Sequence, residues 1–121
     1  MKKVLVSILV AAPLMAGCTT TATRQAAADP YAYKAIKAAD FATAESRLLR
    51  ESSRHPNEPS AMLNLAFVYA ATGRTSDASA LYRRALTAPN VLMDVPGAGE
   101  PGWSHDIAAK GLRRAPVMAS R

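Results

Sequence analysis

The chain is poor in the residues that most often carry chemistry. Among 121 residues it has one cysteine, one tryptophan, two phenylalanines and two histidines. A single cysteine excludes an internal disulfide framework. Neither His55 nor His105 has the i, i+4 partner or the Cys/His/Glu cluster that a metal site needs. Ser104, His105 and Asp106 are consecutive, so their side chains diverge where a hydrolytic triad needs them to converge. There is no glycine-rich phosphate loop, nucleophile turn or dinucleotide fingerprint. These absences point away from an enzyme, a metal site and a bound cofactor. No apolar run reaches the length needed to span a bilayer, and the longest, Val4 to Met15, falls well short. Acidic residues are outnumbered nine to fifteen by Lys and Arg, for a net charge of +6. That modest, diffuse excess favours anionic surfaces or acidic partners, not nucleic acid.

What is present at the N-terminus is ordered. Lys2 and Lys3 precede the apolar stretch, and small Ala16 and Gly17 run into Cys18. A charged start, a short apolar core and small residues read as an export signal. The segment Leu14-Met15-Ala16-Gly17-Cys18 resembles the lipobox of bacterial lipoproteins, with Met15 standing where that family prefers leucine. The resemblance implies that residues 1–17 are a signal peptide and that Cys18 becomes a lipidated first residue. A secretion signal that merely ends near a cysteine is the plainer alternative. Two or three acyl chains anchor stably where one does not. Thr19, in place of the aspartate that retains many such proteins at the inner membrane, implies the periplasmic face of the outer membrane. Residues 18–28 then form the lipidated cysteine and a tether without apolar periodicity.

From residue 29 to 115 the pattern is helical, and the expected fold is all-α. Asp29-Pro30 offers an N-cap and a proline at the first helical position. The helical composition runs to Arg54, interrupted by a turn around Ala39-Asp40, and Pro56 and Pro59 close the pair. A second pair runs from Ser60 to about Ala71 and from Thr75 or Ser76 to Ala88, with Gly73 at the turn. Met62, Leu65, Ala66, Tyr69, Gly73, Ala78, Tyr82 and Ala85 fall at spacings that closely resemble a tetratricopeptide repeat. Small Ala66 and Ala78 would let paired helices approach, while Leu65, Tyr69 and Tyr82 fill the space around them. A shift of about 34 residues, the period of that family, gives a weaker second copy with Ala44, Leu48, Tyr31 and Ala32. The resemblance implies a short solenoid of about two repeats; an accidental helical hairpin is the alternative.

Past Pro89 the composition changes. Prolines 89, 96 and 101 and glycines 97, 99 and 102 make residues 89–103 a long irregular loop. Ser104 or Asp106 would cap a last helix to about Arg114, ended by Pro116, with 116–121 as a tail. Gly111 within it is unfavourable for a helix by about 1 kcal/mol relative to alanine. A repeat stack needs its open end covered. This helix would be the cap, helped by Val91, Leu92, Met93, Val95, Trp103, Ile107 and Leu112.

The helix from Ser60 to Ala71 is apolar nearly all round, so it is either covered or exposes a surface for a partner. In tetratricopeptide domains the first helix of each repeat lines a concave groove for a partner's segment. By that resemblance Asn64, Leu63 and Phe67 would face the groove with Tyr33, Ile36 and Lys37. A clamp for a C-terminal carboxylate is not matched, since Asp29 and Tyr33 stand where that family uses a lysine and an asparagine. Arg47, Arg50 and Arg54 share one face, opposite Phe41, Ala44 and Leu48, as a solvated face would. The implied role is a non-catalytic interaction module or adaptor of the cell envelope, lipid-anchored and binding a segment of a partner protein. By analogy of anchor and fold, that partner would belong to pilus, secretion or outer-membrane assembly. The rival is a structural lipoprotein that self-associates as a homo-oligomer without a foreign ligand.

Overall fold

A computed structural model describes residues 29–119 except Gly97, with side chains as far as Ala115. The expected signal peptide, Cys18 and the tether lie outside these residues. The described chain is all-α apart from one minimal β-ladder. Its elements are α1 (Tyr33–Lys37), α2 (Phe41–Arg54), α3 (Pro59–Ala71), α4 (Thr75–Thr87), β1 (Leu92–Met93), β2 (Gly102–Trp103) and α5 (Ser104–Ala119).

Each boundary has a local cause. Asp40 caps α2, its carboxylate accepting from Thr43 N at 3.2 Å. Hydrogen bonding from Thr43, from its side chain first and then its backbone N–H, lowers the pKa of Asp40 below that of an ordinary aspartate. The helix stops at Arg54, before His55-Pro56, because a residue preceding proline is driven out of the helical region. Glu58 caps α3 by accepting from Ser60 N at 3.1 Å, with Pro59 in the first turn. At its other end Gly73 takes φ +83°, and Arg74 N donates back to Tyr69 O at 2.8 Å. This left-handed exit satisfies carbonyls the helix leaves open.

The core is centred on α3, in which ten of 13 residues are buried. Its most extensive interface is with α4, and α4 packs almost as broadly on α5. Helix α2 covers another side, and α5 also touches α3. The stripe Ala44–Leu48 of α2, Ala61, Leu65, Ala66 and Val68 of α3, and Ala78, Tyr82 and Ala85 of α4 meet there. Ala66, Ala78 and Ala85 are fully buried, as close helix approach requires.

Several expectations are corrected. The first helix begins at Tyr33, not Pro30. Residues 29–32 form a turn closed by Ala32 N donating to Asp29 O at 3.1 Å, and Ala32 has φ +55°. Helix α3 begins one residue early, at Pro59, because Glu58 and not Ser60 supplies the cap contact. The loop after Pro89 contains an antiparallel ladder, Leu92 opposite Trp103 and Met93 opposite Gly102. Its alternation turns Met93 inward and leaves Leu92 and Trp103 exposed, so those two do not supply the covering surface. Ile107 and Leu112 do pack on the core.

Helix α5 starts at Ser104 and passes Pro116 to reach Ala119. A proline removes one backbone donor, a loss that need not end a helix close to its terminus. Ser104 is fully buried and ties the loop together: its hydroxyl accepts from Val91 N at 3.0 Å, and its own N–H donates to Val91 O at 2.8 Å. Gly111 is explained by packing. A Cβ there would collide with the ring of Tyr82.

Candidate functional site

One cleft collects residues from widely separated parts of the chain. It encloses about 290 Å³ and is lined by Asp29, Pro30, Tyr31, Tyr33, Ser60, Asn64, Leu92, Met93 and Asp94. The turn before α1 forms one wall, the first turns of α3 the floor, and β1 the opposite wall.

Its polar groups are held in place. Asn64 is almost wholly buried, and its Nδ2 donates to Tyr31 O at 2.8 Å, which locks the turn onto α3. Asp29 is also buried. Its carboxylate accepts from Lys34 N at 3.1 Å and pairs with Arg47 Nη1 at 3.3 Å. A buried carboxylate is tolerable only with such partners. Burial, with the nearby carboxylates of Glu58 and Glu51, raises the pKa of Tyr31, so its phenol stays neutral over the physiological range. Asp94 is exposed at the rim. The cleft thus offers two tyrosine rings, an aliphatic wall and one exposed carboxylate, Asp94, and can hold an extended segment with a positive charge.

No protein-family model, curated protein or solved structure matches this chain.

The residues expected to face a groove divide three ways. Asn64 and Tyr33 border the cleft. Leu63 and Ile36 do not: at 2% and 5% exposure they belong to the core, Leu63 because α3 is covered on several sides and Ile36 as part of the same buried cluster. Phe67 is exposed, but away from the cleft lining, in an edge-to-face contact with Phe41 at 6.4 Å between ring centres. Lys37 is exposed, with its ammonium 5.5 Å from the centre of the Tyr33 ring. The residues with repeat spacing, Met62, Leu65, Ala66, Tyr69, Ala78, Tyr82 and Ala85, are all buried in α3 and α4, and Gly73 occupies the turn between them.

The arginine face needs a correction as well. Arg47 is not a solvated residue but the partner of Asp29. Arg74 holds Glu45 at 2.7 Å and Asp77 at 3.2 Å, and its guanidinium lies 3.8 Å from the centre of the Tyr69 ring. Arg84 donates to Pro56 O at 2.7 Å, linking α4 to the turn before α3. These contacts staple the two hairpins together.

The histidines are occupied locally. His105 Nε2 lies 2.9 Å from Ala88 O, and His55 lies 3.7 Å from Glu51. Among the described residues, no three His, Cys, Asp or Glu side chains stand close enough to hold a metal ion. No described helix is long and apolar enough to cross a membrane.

Sequence reasoning missed Asp94, Leu92 and Ser60 as cleft residues. Leu92 carried an alternation signal with Met93, but over two residues it is too short to read. Asp94 and Ser60 have no sequence signal, because only the ladder and the docked turn bring them together.

Proposed function

We propose that this chain is a non-catalytic interaction lipoprotein of the cell envelope. Its small repeat domain takes a segment of a partner envelope protein in the cleft beside Tyr33 and Asn64. The carrying observation is the cleft itself, which joins the start of both hairpins to the capping ladder and combines aromatic walls with fixed polar groups. A segment bearing Lys or Arg fits the exposed carboxylate of Asp94 at the rim. The lipobox-like run ending at Cys18 supports the membrane anchor and the outer-membrane address.

A tetratricopeptide-like arrangement of the two hairpins is part of the same reading. Besides the residue spacings, it is supported by the turns. Gly73 and Ala39, related by the repeat shift, both take positive φ, at 83° and 55°. The reading treats α5 and the β-ladder as the cap of a two-repeat stack.

Photo-crosslinking in cells tests this reading. A photoreactive amino acid replacing Tyr33 in the full chain should give an adduct with another envelope protein. Asp94→Lys should remove that adduct, and a photoreactive group at the position of Leu86 should not give it. An adduct of twice the chain's mass means self-association, the rival reading, for which the exposed Phe67 beside Phe41 is the natural contact. No adduct from the Tyr33 position at all would sink the cleft as the binding site.

A further inference from the structure

Leu92 and Trp103 form a projecting apolar pair with no counterpart in the core. They sit directly opposite each other on β1 and β2 and are 58% and 50% exposed. The neighbouring pair, Val91 and Ser104, is joined by one ladder bond, Ser104 N to Val91 O, while Val91 N donates to the Ser104 hydroxyl in place of the second. Leu92 and Trp103 therefore occupy a non-hydrogen-bonded position, where cross-strand side chains come closest. Capping the helices needs only the inner face, Met93 and Gly102. The outer pair stays exposed, Leu92 also bordering the cleft and Trp103 lying outside its lining.

Two features of the chain bear on what covers it. Asp29, where the described chain begins, lines the same cleft as Leu92, so the described chain starts on the Leu92 side of the domain. Residues 19–28 alone separate Cys18 from Asp29, a reach of about 36 Å even at full extension. An acyl chain on Cys18 would keep this face within reach of the membrane. The chemistry suits that place: an indole with an apolar body and a polar N–H, next to a leucine, belongs at the boundary between headgroups and acyl chains.

We propose that Leu92 and Trp103 dock the domain onto the bilayer surface, their side chains entering the headgroup–acyl boundary. This rests on the lipid anchor at Cys18 for its location. Asp94 directly follows β1 and Asp106 lies in the first turn of α5, so the flanking charge is negative. The contact is therefore apolar in origin, indifferent to salt, and does not require anionic lipid. It also sets the cleft beside the headgroups, where it meets the membrane-proximal part of a partner.

Trp103 is the only tryptophan in the chain, so its fluorescence reports this face alone. The full-length, lipid-modified protein is reconstituted into vesicles of phosphatidylethanolamine and phosphatidylcholine, with or without phosphatidylcholine brominated near the top of its acyl chain. Bromine at that depth should quench Trp103 emission about twofold, equally at low and high salt. Leu92→Asp should abolish most of the quenching without changing helicity by circular dichroism. Emission quenched by aqueous acrylamide but not by bromine overturns the proposal. So does protection from both quenchers, which would mean that protein, either a second copy or a partner, covers the pair. The intact mass of the purified chain reads the anchor separately. An acylated chain with unquenched Trp103 leaves the anchor standing and removes the docking face. If Cys18 carries no acyl chain, the anchor reading fails. The unmodified chain is then mixed with the same vesicles, where bromine quenching supports docking and its absence overturns it.

Discussion

The two helical hairpins differ in length, burial and the residue at the turn. In the second, α3 has 13 residues, ten of them buried, and a glycine makes its turn at φ +83°. In the first, α1 is a five-residue turn of helix, and an alanine takes the corresponding conformation at φ +55°. Helix α3 is covered by α2, α4 and α5, whereas α1 packs chiefly against α2. The difference teaches that the central hairpin carries the stability of the domain. The edge hairpin is held by specific polar ties, Asn64 to Tyr31 O and Arg47 to Asp29. Those ties, and not helix length, shape the cleft.

The largest effect should come from the central core. Leu63→Ala opens a cavity at a fully enclosed position and should cost about 3–5 kcal/mol in thermal or urea unfolding. Ile36→Ala, at the edge, should cost about 2 kcal/mol. Equal losses from the two would break the contrast between centre and edge. Next comes Asn64→Ala, which strands the Tyr31 carbonyl and should cost about 1–3 kcal/mol. Hydrogen exchange should then rise at residues 31–37 far more than in α4. A uniform rise would deny the polar tie its local role.

Gly111→Ala pits propensity against packing. Alanine improves the helix by about 1 kcal/mol, but its Cβ meets the Tyr82 ring, and overpacking costs about 1–3 kcal/mol. The unfolding midpoint should therefore fall; a rise would mean that the ring gives way freely. The same ring predicts an alkaline limit. Burial raises the pKa of Tyr82 above its ordinary value of 10.0. The stabilisation this reflects is fully present below the unfolded value and is lost as pH rises through the folded one. Tyr82→Phe should flatten that alkaline fall.

The smallest effect lies in the turns. Ala39→Gly removes the left-handed strain of an alanine, about 1 kcal/mol, less the entropy that glycine adds to the unfolded chain. A net gain of about 0.5 kcal/mol is expected, while Gly73→Ala should lose about 1 kcal/mol. Opposite signs at these related positions would sharpen the parallel between the hairpins; a loss at both would blur it.

Much of the architecture was legible because it depends on local rules. Apolar spacing in 60–88, the Gly73 turn and the proline stops marked α3 and α4 to within a residue or so. The Ala39-Asp40 interruption marked the start of α2, and the structure added the Asp40 cap. The candidate site was less legible. Leu63 and Phe67 look equivalent on an almost uniformly apolar helix, and only the neighbours decide that one is core and the other surface. Asp29 read as a helix cap, and became a buried carboxylate because Arg47, eighteen positions along, reaches it.

By itself the sequence determined an all-α chain with two hairpins and a last helix, since spacing, caps and breakers act over a few residues. Tertiary structure alone decided which apolar residues meet one another. It turned Met93 inward and Leu92 and Trp103 outward, set Tyr82 against Gly111, and closed a cleft between Tyr33 and Asp94. Those outcomes depend on contacts between distant segments, which form only when burial in one place fixes the direction of side chains in another.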